Sequence, residues 1–115
     1  MKENIIQEKS FCFALRIIKL YKYLKENKKE YVLSKQLLRS GTSIGANVEE
    51  AIGGQSKNDF VSKISIAYKE SRETLYWIKL LKESGYLNSK QAESIINDCE
   101  EIIKIITKIQ KTIKY

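Results

Sequence analysis

The chain has 115 residues, enough for one domain, and contains 21 Lys and Arg against 14 Asp and Glu, which gives a net charge of +7. Proline and histidine are absent, and the lack of histidine excludes Ser–His and Cys–His nucleophile pairs and the Glu-x-x-His ligands of di-iron bundles. We therefore expect a single non-enzymatic domain over residues 1–115, with no metal and no cofactor, whose positive charge favours polyanionic partners in general.

The composition also bears on where the protein resides. The start of the chain has only a short apolar run, residues 11–15, which does not indicate a secretory signal. Nowhere do eighteen apolar residues follow one another, as a membrane-spanning helix would require. We expect a cytoplasmic protein with no membrane segment.

The first predicted helix covers residues 4–27 and ends in the polar turn "NKKE". Its apolar side chains repeat with a heptad-like spacing, which predicts one buried side: Ile6, Phe13, Ile17, Leu20 and Leu24. A second apolar set, Phe11, Leu15 and Ile18, lies on another side of the same helix, with Tyr21 and Tyr23 close by. Surplus apolar surface usually contacts a partner, so this second set predicts self-association.

The second predicted helix covers residues 32–53 and includes the stretch "SGTSIGANVEEAIGG", which holds four of the five glycines. A phosphate-binding loop would need a Lys after the second glycine and a strand before the first, and neither is present. The helical period instead runs straight through the stretch: Leu33, Leu37, Ser40, Ile44, Val48 and Ala51. We predict that Gly41 and Gly45 let another helix approach closely, and that Gly53 and Gly54 end the helix in the left-handed conformation.

The third and fourth predicted helices cover residues 57–84 and 89–113. Each has one buried stripe, formed in turn by Phe60, Ile64, Ala67, Ser71, Thr74, Ile78 and Leu81, and by Ile95, Cys99, Ile102, Ile106, Ile109 and Ile113. Ser56 and Asp59 can cap the third helix, Gly85 can stop it, and Asn88 and Gln91 can cap the fourth. Long helices joined by short connections run antiparallel, so the sequence predicts an all-α, up-down-up-down four-helix bundle.

Polar residues accompany the buried stripes of the middle helices. Arg39, Ser43, Asn47 and Glu50 form one line on the second helix, and Glu70 and Glu73 share a flank of the third with Trp77. The two glutamates could perform acid–base chemistry, or they could form structural ion pairs with Arg39, Arg72 or Lys69, or with another subunit. We favour a structural polar network formed by Arg39, Ser43, Asn47, Glu50, Glu70 and Glu73, because two glutamates three residues apart on a helix do not flank a substrate. We interpret Trp77 as a core or interface anchor.

Lysines concentrate near the ends of the chain. Lys22, Lys25 and Lys29 cluster on and after the first helix, and Lys104, Lys108 and Lys111 share one face of the fourth, with Lys114 and Tyr115 just beyond. These six clustered lysines could form a solvated face, or they could contact the phosphate backbone of a nucleic acid with little sequence selectivity. Cys12 and Cys99 have no CxxC motif, and we interpret both as small buried hydrophobic residues.

Two segments carry a resemblance to a known family. "LLRSGTSIGANVEEA" and "NDFVSKISIAYKESRETLYWIKLL" closely resemble the four helix bundle protein family, whose members are also called ribosomal-RNA intervening-sequence proteins. Some of these are encoded within inserts of bacterial large-subunit ribosomal RNA genes. The match runs from about residue 37 to residue 87. Its joint pattern is Arg39-Ser40, Ser43, Ala46-Asn47 and Glu50-Ala51, followed by Phe60, Lys69-Glu70, Glu73 and Trp77.

This resemblance implies a small bacterial four-helix bundle that assembles as a homopentamer, with no established catalytic activity. The family has a related branch, the accessory variability proteins of diversity-generating retroelements. Similarity to this branch implies binding to nucleic acid and to a reverse transcriptase. We therefore expect a homo-oligomeric protein, a pentamer, that binds RNA or DNA through basic surfaces. The alternative is an interaction scaffold that docks a partner polypeptide and binds no nucleic acid.

Overall fold

A computed structural model describes residues 2–113 of the chain, with side chains from residue 5 onward. It contains four helices: α1 (Lys2–Asn27), α2 (Leu33–Ile52), α3 (Lys57–Glu83) and α4 (Ser89–Ile113). Their ends differ from the predicted ones by at most two residues, and no strand occurs within residues 2–113. Lys114 and Tyr115, which follow the predicted basic face of the fourth helix, lie outside the described residues.

Each helix packs against the next one in the chain, and α1 also packs against α4, which closes the ring. The resulting rod measures 45 × 20 × 19 Å. The connections at residues 28–32, 53–56 and 84–88 are too short to run back along the length of the rod, so consecutive helices run antiparallel. This confirms the predicted up-down-up-down bundle. The contact between α1 and α4 is the loosest of the four.

The core forms from the side chains that the helical periods predicted to be buried. Phe13 and Ile17 of α1, Ile44 of α2, Ile78 of α3 and Ile102 of α4 belong to one buried cluster. Leu20, Leu33, Phe60 and Ile113 lie at its edge and are half-buried. Burial of a large aliphatic side chain contributes about 1.5–3 kcal/mol, so this cluster supplies the main stabilisation of the bundle.

The two mid-helix glycines of α2 lie against α1. A Cβ atom added to Gly41 would come within 2.8 Å of Cγ1 and Cγ2 of Ile17, and one added to Gly45 would lie 3.3 Å from the backbone oxygen of Ser10. The absence of a side chain therefore lets α1 pack closely against α2 at both positions, with less space for an added carbon at Gly41 than at Gly45. The glycines cost local helix stability of about 1 kcal/mol each relative to alanine, and the close α1–α2 packing offsets it.

The helix ends follow the predicted punctuation in most places. The Ser56 hydroxyl accepts from the backbone N–H of Asp59 at 3.0 Å. Asn88 and Gln91 each accept from the backbone N–H of the other, at 2.8 and 3.0 Å. Gly85, predicted to stop α3, has a φ of +89°, a left-handed conformation typical of a glycine that follows a helix.

The end of α2 differs from the prediction. Gly53 has a φ of −81°, and Gly85 is the one glycine of the described residues with a positive φ, so the predicted left-handed ending at Gly53 and Gly54 is wrong. The Gly53 N–H still donates to the Glu49 carbonyl at 3.0 Å, which continues the helical geometry. Space favours a glycine at the next position, because a Cβ on Gly54 would lie 3.1 Å from the Ala51 carbonyl oxygen.

Candidate functional site

The predicted polar line on α2 meets the glutamates of α3 at one point, Arg39. Its Nη1 lies 3.3 Å from Oε1 of Glu70, and its Nη2 donates to Oε2 of Glu73. The same Glu73 oxygen accepts from Nε1 of Trp77 at 2.9 Å. Gln36 completes the cluster, because its Oε1 accepts from Nε of Arg39 at 3.3 Å. We call these five residues the Arg39 cluster; it links α2 to α3.

The other predicted members of this network lie apart from the Arg39 cluster. The Ser43 hydroxyl donates to the Arg39 carbonyl at 2.7 Å, and Nδ2 of Asn47 donates to the Ser43 carbonyl at 2.9 Å, so both side chains bond to their own helix. Glu50 pairs with Lys63 at 2.9 Å. The expected single network is therefore divided into three groups. Arg39 and Glu50 are eleven residues apart, about 16 Å along α2, which exceeds the reach of either side chain.

Exposure indicates what the Arg39 cluster can do. The side chains of Glu70 and Glu73 are 20% and 35% exposed, whereas that of Arg39 is 47% exposed. The carboxylates are therefore partly desolvated, as expected, but the arginine remains half in water. Both acids come from one helix and share one cation, which is the geometry of a clamp between helices. Trp77 is half-buried beside it and makes an edge-to-face contact with Tyr76, with the ring centroids 5.2 Å apart.

The bundle places the two lysine clusters at opposite ends. Ion pairs fix the register of α1 against α4, with Lys9 3.1 Å from Glu101 and Arg16 2.5 Å from Asp98. Lys108 and Ile5 line one cavity of about 230 Å³, so the last turns of α4 lie beside the start of α1. Lys22 lies seventeen residues after Ile5, about 25 Å along the helix. The six candidate lysines therefore form two separate patches rather than one surface.

These lysines remain available to a partner. All are exposed except Lys25, which is half-buried with its Nζ 5.0 Å from the centroid of the Tyr21 ring. Within the described residues, the ion pairs are formed by Lys9, Arg16, Arg39 and Lys63 and involve none of the six. One patch comprises Lys22, Lys25 and Lys29, and the other comprises Lys104, Lys108 and Lys111. Within the described residues, neither patch contains a lysine that is held in an ion pair.

The connection between α1 and α2 adds residues that the sequence reasoning missed. Lys28, Tyr31, Val32 and Lys35 are exposed next to Lys29, with Tyr31 at 51% and Val32 at 71%. Together with Lys29 we call these residues the α1–α2 loop patch. The signal in the sequence was the run "KKEYVLSK", where an aromatic and a β-branched residue stand among lysines at a helix start.

The second apolar set of α1 reaches the surface. Phe11 is 63% exposed and Leu15 is 49% exposed, while Ile18 is half-buried. Beside them on α2 are small residues, because Ala46 and Thr42 line a shallow cavity together with Phe11. This face is apolar and has no partner within residues 2–113. It is the surface from which the sequence predicted self-association.

The two cysteines occupy different environments. Cys99 is buried against the Ser71 carbonyl, and desolvation, aided by the negative charges of Glu100 and Asp98, raises the pKa of its thiol to about 12. Cys12 is exposed in a cleft of about 610 Å³ between α1 and α4, so its interpretation as a buried residue is wrong. The loose contact between these two helices leaves that side of α1 uncovered.

Residues 2–113 contain no group of three or more His, Cys, Asp or Glu side chains placed to hold a metal ion. None of their helices is both long enough and apolar enough to cross a membrane.

Comparison with known proteins assigns the family. The model of the family described as "23S rRNA-intervening sequence protein" matches residues 2–108. The chain belongs to this family. The match covers nearly the whole bundle and confirms the resemblance carried by the motifs around Arg39 and Glu73. No curated protein matches the chain.

One solved structure is very similar to this member of the 23S rRNA-intervening sequence protein family. It is a crystal structure of a protein of unknown function from the S23 ribosomal protein family of Bacteroides thetaiotaomicron. The two chains are 52% identical and superpose with a TM-score of 0.95, and the match covers 96% of this chain and 99% of the other. The similarity extends over all four helices.

Proposed function

We propose that this protein is a non-enzymatic homo-oligomer of the bacterial cytoplasm that binds nucleic acid through its lysine patches with little sequence selectivity. The observation that carries the proposal is the presence of two lysine patches, almost wholly exposed, whose lysines form no ion pair within the described residues. Exposed lysines that contact phosphates release the counterions bound to the nucleic acid, which favours binding. Such contacts do not distinguish one base sequence from another.

One lysine of α4 also stabilises the helix itself, and this structural role must be distinguished from nucleic-acid binding. Lys111 lies in the last turn of the helix, where a cation interacts favourably with the helix dipole by about 0.3–1 kcal/mol. A lysine at this position is therefore useful to the fold even without a ligand. Helix stability accounts less well for Lys104 and Lys108, which lie further from the end and face the same side.

The oligomeric part of the proposal rests on the exposed Phe11 and Leu15. A second copy of the chain would cover them, and the family resemblance suggests that five copies assemble. The non-enzymatic part is supported by the Arg39 cluster, because Glu70 and Glu73 are both engaged by one arginine. By analogy with the accessory variability proteins, we propose a reverse transcriptase as a candidate protein partner.

A protein-docking scaffold is the second candidate. It is favoured by the same exposed apolar face on α1, which could bind a partner polypeptide instead of another copy. On that hypothesis the lysines would keep the protein soluble and would bind no nucleic acid.

Salt dependence of binding tests the proposal. Affinity for mixed-sequence RNA or DNA is expected to fall on the order of 10³-fold between about 50 and 200 mM salt, if about six phosphates are engaged. The triple variant Lys104→Gln, Lys108→Gln, Lys111→Gln is expected to flatten this dependence, measured by fluorescence anisotropy.

A matched control removes the same charge from another face. Lys57, Lys69 and Lys79 are exposed on α3, and their replacement with Gln is expected to leave most of the salt slope in place. Both triple variants should keep the helicity and the mass of the parent protein. An intact oligomer that binds no nucleic acid at low salt would refute the proposal and favour the scaffold.

A further inference from the structure

The chain between α1 and α2 forms a tightly hydrogen-bonded turn. The backbone N–H groups of Lys28 and Glu30 both donate to the Leu24 carbonyl, at 3.2 and 3.0 Å. Lys29, between them, has a φ of +56° and is the one non-glycine residue of the described chain with a positive φ. This left-handed residue turns the chain sharply out of α1 and places the Lys29 side chain in solvent.

Glu30 is the residue that holds the turn in place. Its side chain is directed inward, with the residue only 7% exposed. Its carboxylate accepts from the backbone N–H groups of Val32, Leu33 and Ser34, at 3.2, 2.9 and 2.7 Å. Its carbonyl accepts from the Ser34 hydroxyl at 2.8 Å. These four bonds cap the start of α2 and immobilise the connection.

The inward position of Glu30 determines what the loop presents outward. Tyr31 and Val32 follow Glu30 and are exposed by 51% and 71%, although valine is among the residues most often buried. Lys28, Lys29 and Lys35 are also exposed and lie within four residues of them in the chain. The single acid of residues 28–35, Glu30, has its charge engaged by backbone N–H groups, so the outward surface is positive and contains an accessible aromatic ring.

We propose that the α1–α2 loop patch binds single-stranded nucleic acid, with a base stacked on the Tyr31 ring and phosphates held by Lys28, Lys29 and Lys35. This inference rests on the proposed function and assigns it a site and a substrate class. Exposed aromatics beside cationic side chains are the elements by which proteins bind single strands, whose base faces are accessible. In a duplex the base faces are covered by neighbouring base pairs, so the Tyr31 ring has no free base face to stack on.

Two features separate this patch from the lysines of α4. Between Lys104 and Lys111 the chain carries Ile, Thr and Gln but no aromatic residue, whereas Tyr31 stands between Lys29 and Lys35. At the α1–α2 loop, Glu30 already occupies the N–H groups that open α2. Phosphates must therefore be held by the lysines, and the helix N-terminus contributes little to binding.

The test compares Tyr31→Ala, Tyr31→Phe and Tyr76→Ala by fluorescence anisotropy, with a labelled single-stranded oligonucleotide and its duplex. Tyr31→Ala removes the stacking of one base, so its affinity for the single strand is expected to be about 5- to 150-fold lower than that of the parent protein. Its affinity for the duplex should change little. Tyr31→Phe keeps the ring and should bind like the parent protein. Tyr76→Ala is the matched control, because Tyr76 is also exposed, by 57%, and lies on α3.

The lysines are tested by Lys28→Gln together with Lys29→Asn, since asparagine tolerates the left-handed conformation. This variant should lose affinity for the single strand and part of its salt dependence. If binding persists unchanged in the Tyr31 and Lys28/Lys29 variants but falls in the α4 triple variant, this inference is wrong while the proposed function holds. If the parent protein binds neither strand form, both are wrong, and the patch becomes a candidate protein-docking surface.

Discussion

Glu30 and Glu73 are two partly or fully buried carboxylates that join segments of this fold through different partners. Glu30 bonds to backbone N–H groups at the start of α2, and Glu73 bonds to the side chains of Arg39 and Trp77. A backbone donor cannot turn away to solvent, whereas a half-exposed arginine can. The consequences of removing the two acids should therefore differ.

Glu30→Ala is expected to lower the free energy of unfolding by about 2 kcal/mol, because it leaves N–H groups at the start of α2 without an acceptor. Chemical denaturation of the purified variant measures this loss. Glu26→Ala is the control, because Glu26 is exposed one turn earlier and should change stability by less than about 0.5 kcal/mol. Equal losses in the two variants would contradict the capping role of Glu30.

Glu73→Ala is expected to lower the free energy of unfolding by about 1 kcal/mol. The loss would be about 3 kcal/mol if the substitution left a fully buried arginine unpaired. Arg39 is 47% exposed, so water can solvate it after its partner is removed, and the smaller value follows.

The coupling between Arg39 and Glu73 is measured by a double-mutant cycle of thermal melts, with Arg39→Ala as the second single variant. An interaction energy of about 0.5 kcal/mol or more is expected for residues in direct contact. Strictly additive losses would rule out this pairing. A loss near 3 kcal/mol for Glu73→Ala alone would mean that Arg39 is buried in the assembled protein.

At the scale of the helices, the contact between α1 and α2 depends on the absence of side chains. Gly41 lies against Ile17 and Gly45 lies against the backbone of Ser10, with different amounts of space. A methyl group at Gly41 would overlap branched carbons close to the α1 backbone, which have little freedom to move away. At Gly45 the nearest atom is at 3.3 Å, so the overlap is slight.

Gly41→Ala is expected to destabilise the bundle by about 1–2 kcal/mol, because the cost of overpacking exceeds the gain in helix propensity of about 1 kcal/mol. Gly45→Ala should be close to neutral, since the gain and the smaller overlap offset each other. Gly53→Ala provides the control, with a φ of −81° and no contact shorter than 3.5 Å for the added carbon. Urea unfolding of the three variants gives the order; a Gly41→Ala protein as stable as the parent would contradict the close packing.

At the scale of the whole molecule, the exposed apolar face of α1 is the feature that bears on the predicted self-association. Phe11 and Leu15 lie outside the core, on the surface of a bundle that is already closed by contact between α1 and α4. The core therefore gains nothing from them. Association with another molecule would cover them, as the proposed oligomer requires.

Light scattering is expected to give a mass of five times 13.4 kDa for the purified protein. The double variant Phe11→Glu, Leu15→Glu should reduce this mass while the far-ultraviolet circular dichroism stays that of a helical bundle, because neither residue is in the core. Tyr76→Glu, at a similarly exposed position on α3, should leave the mass unchanged. A mass near 13.4 kDa for the parent protein at micromolar concentration would refute self-association.

The amino-acid sequence by itself determined the number of helices, their buried stripes and most of their ends. These features depend on residues within a few positions of one another: the 3.6-residue period places Ile44 beside Val48, and Asn88 caps a helix with a partner three residues away. The antiparallel order followed as well, because the connections are short. The family could be recognised for a related reason, since the motif residues around Arg39 and Glu73 occur in two continuous segments.

Only the tertiary structure decided which distant groups meet. Arg39 contacts Glu70 and Glu73 but not Glu50, and Cys12 faces an open cleft rather than the core, because both outcomes depend on how neighbouring helices are rotated and how tightly they pack. The antiparallel register also placed the two lysine patches about 25 Å apart along the rod, a separation that spacing along the chain does not indicate. Glu30 turns inward because the backbone N–H groups of α2 are there to receive it, and that turn leaves Tyr31 exposed among lysines.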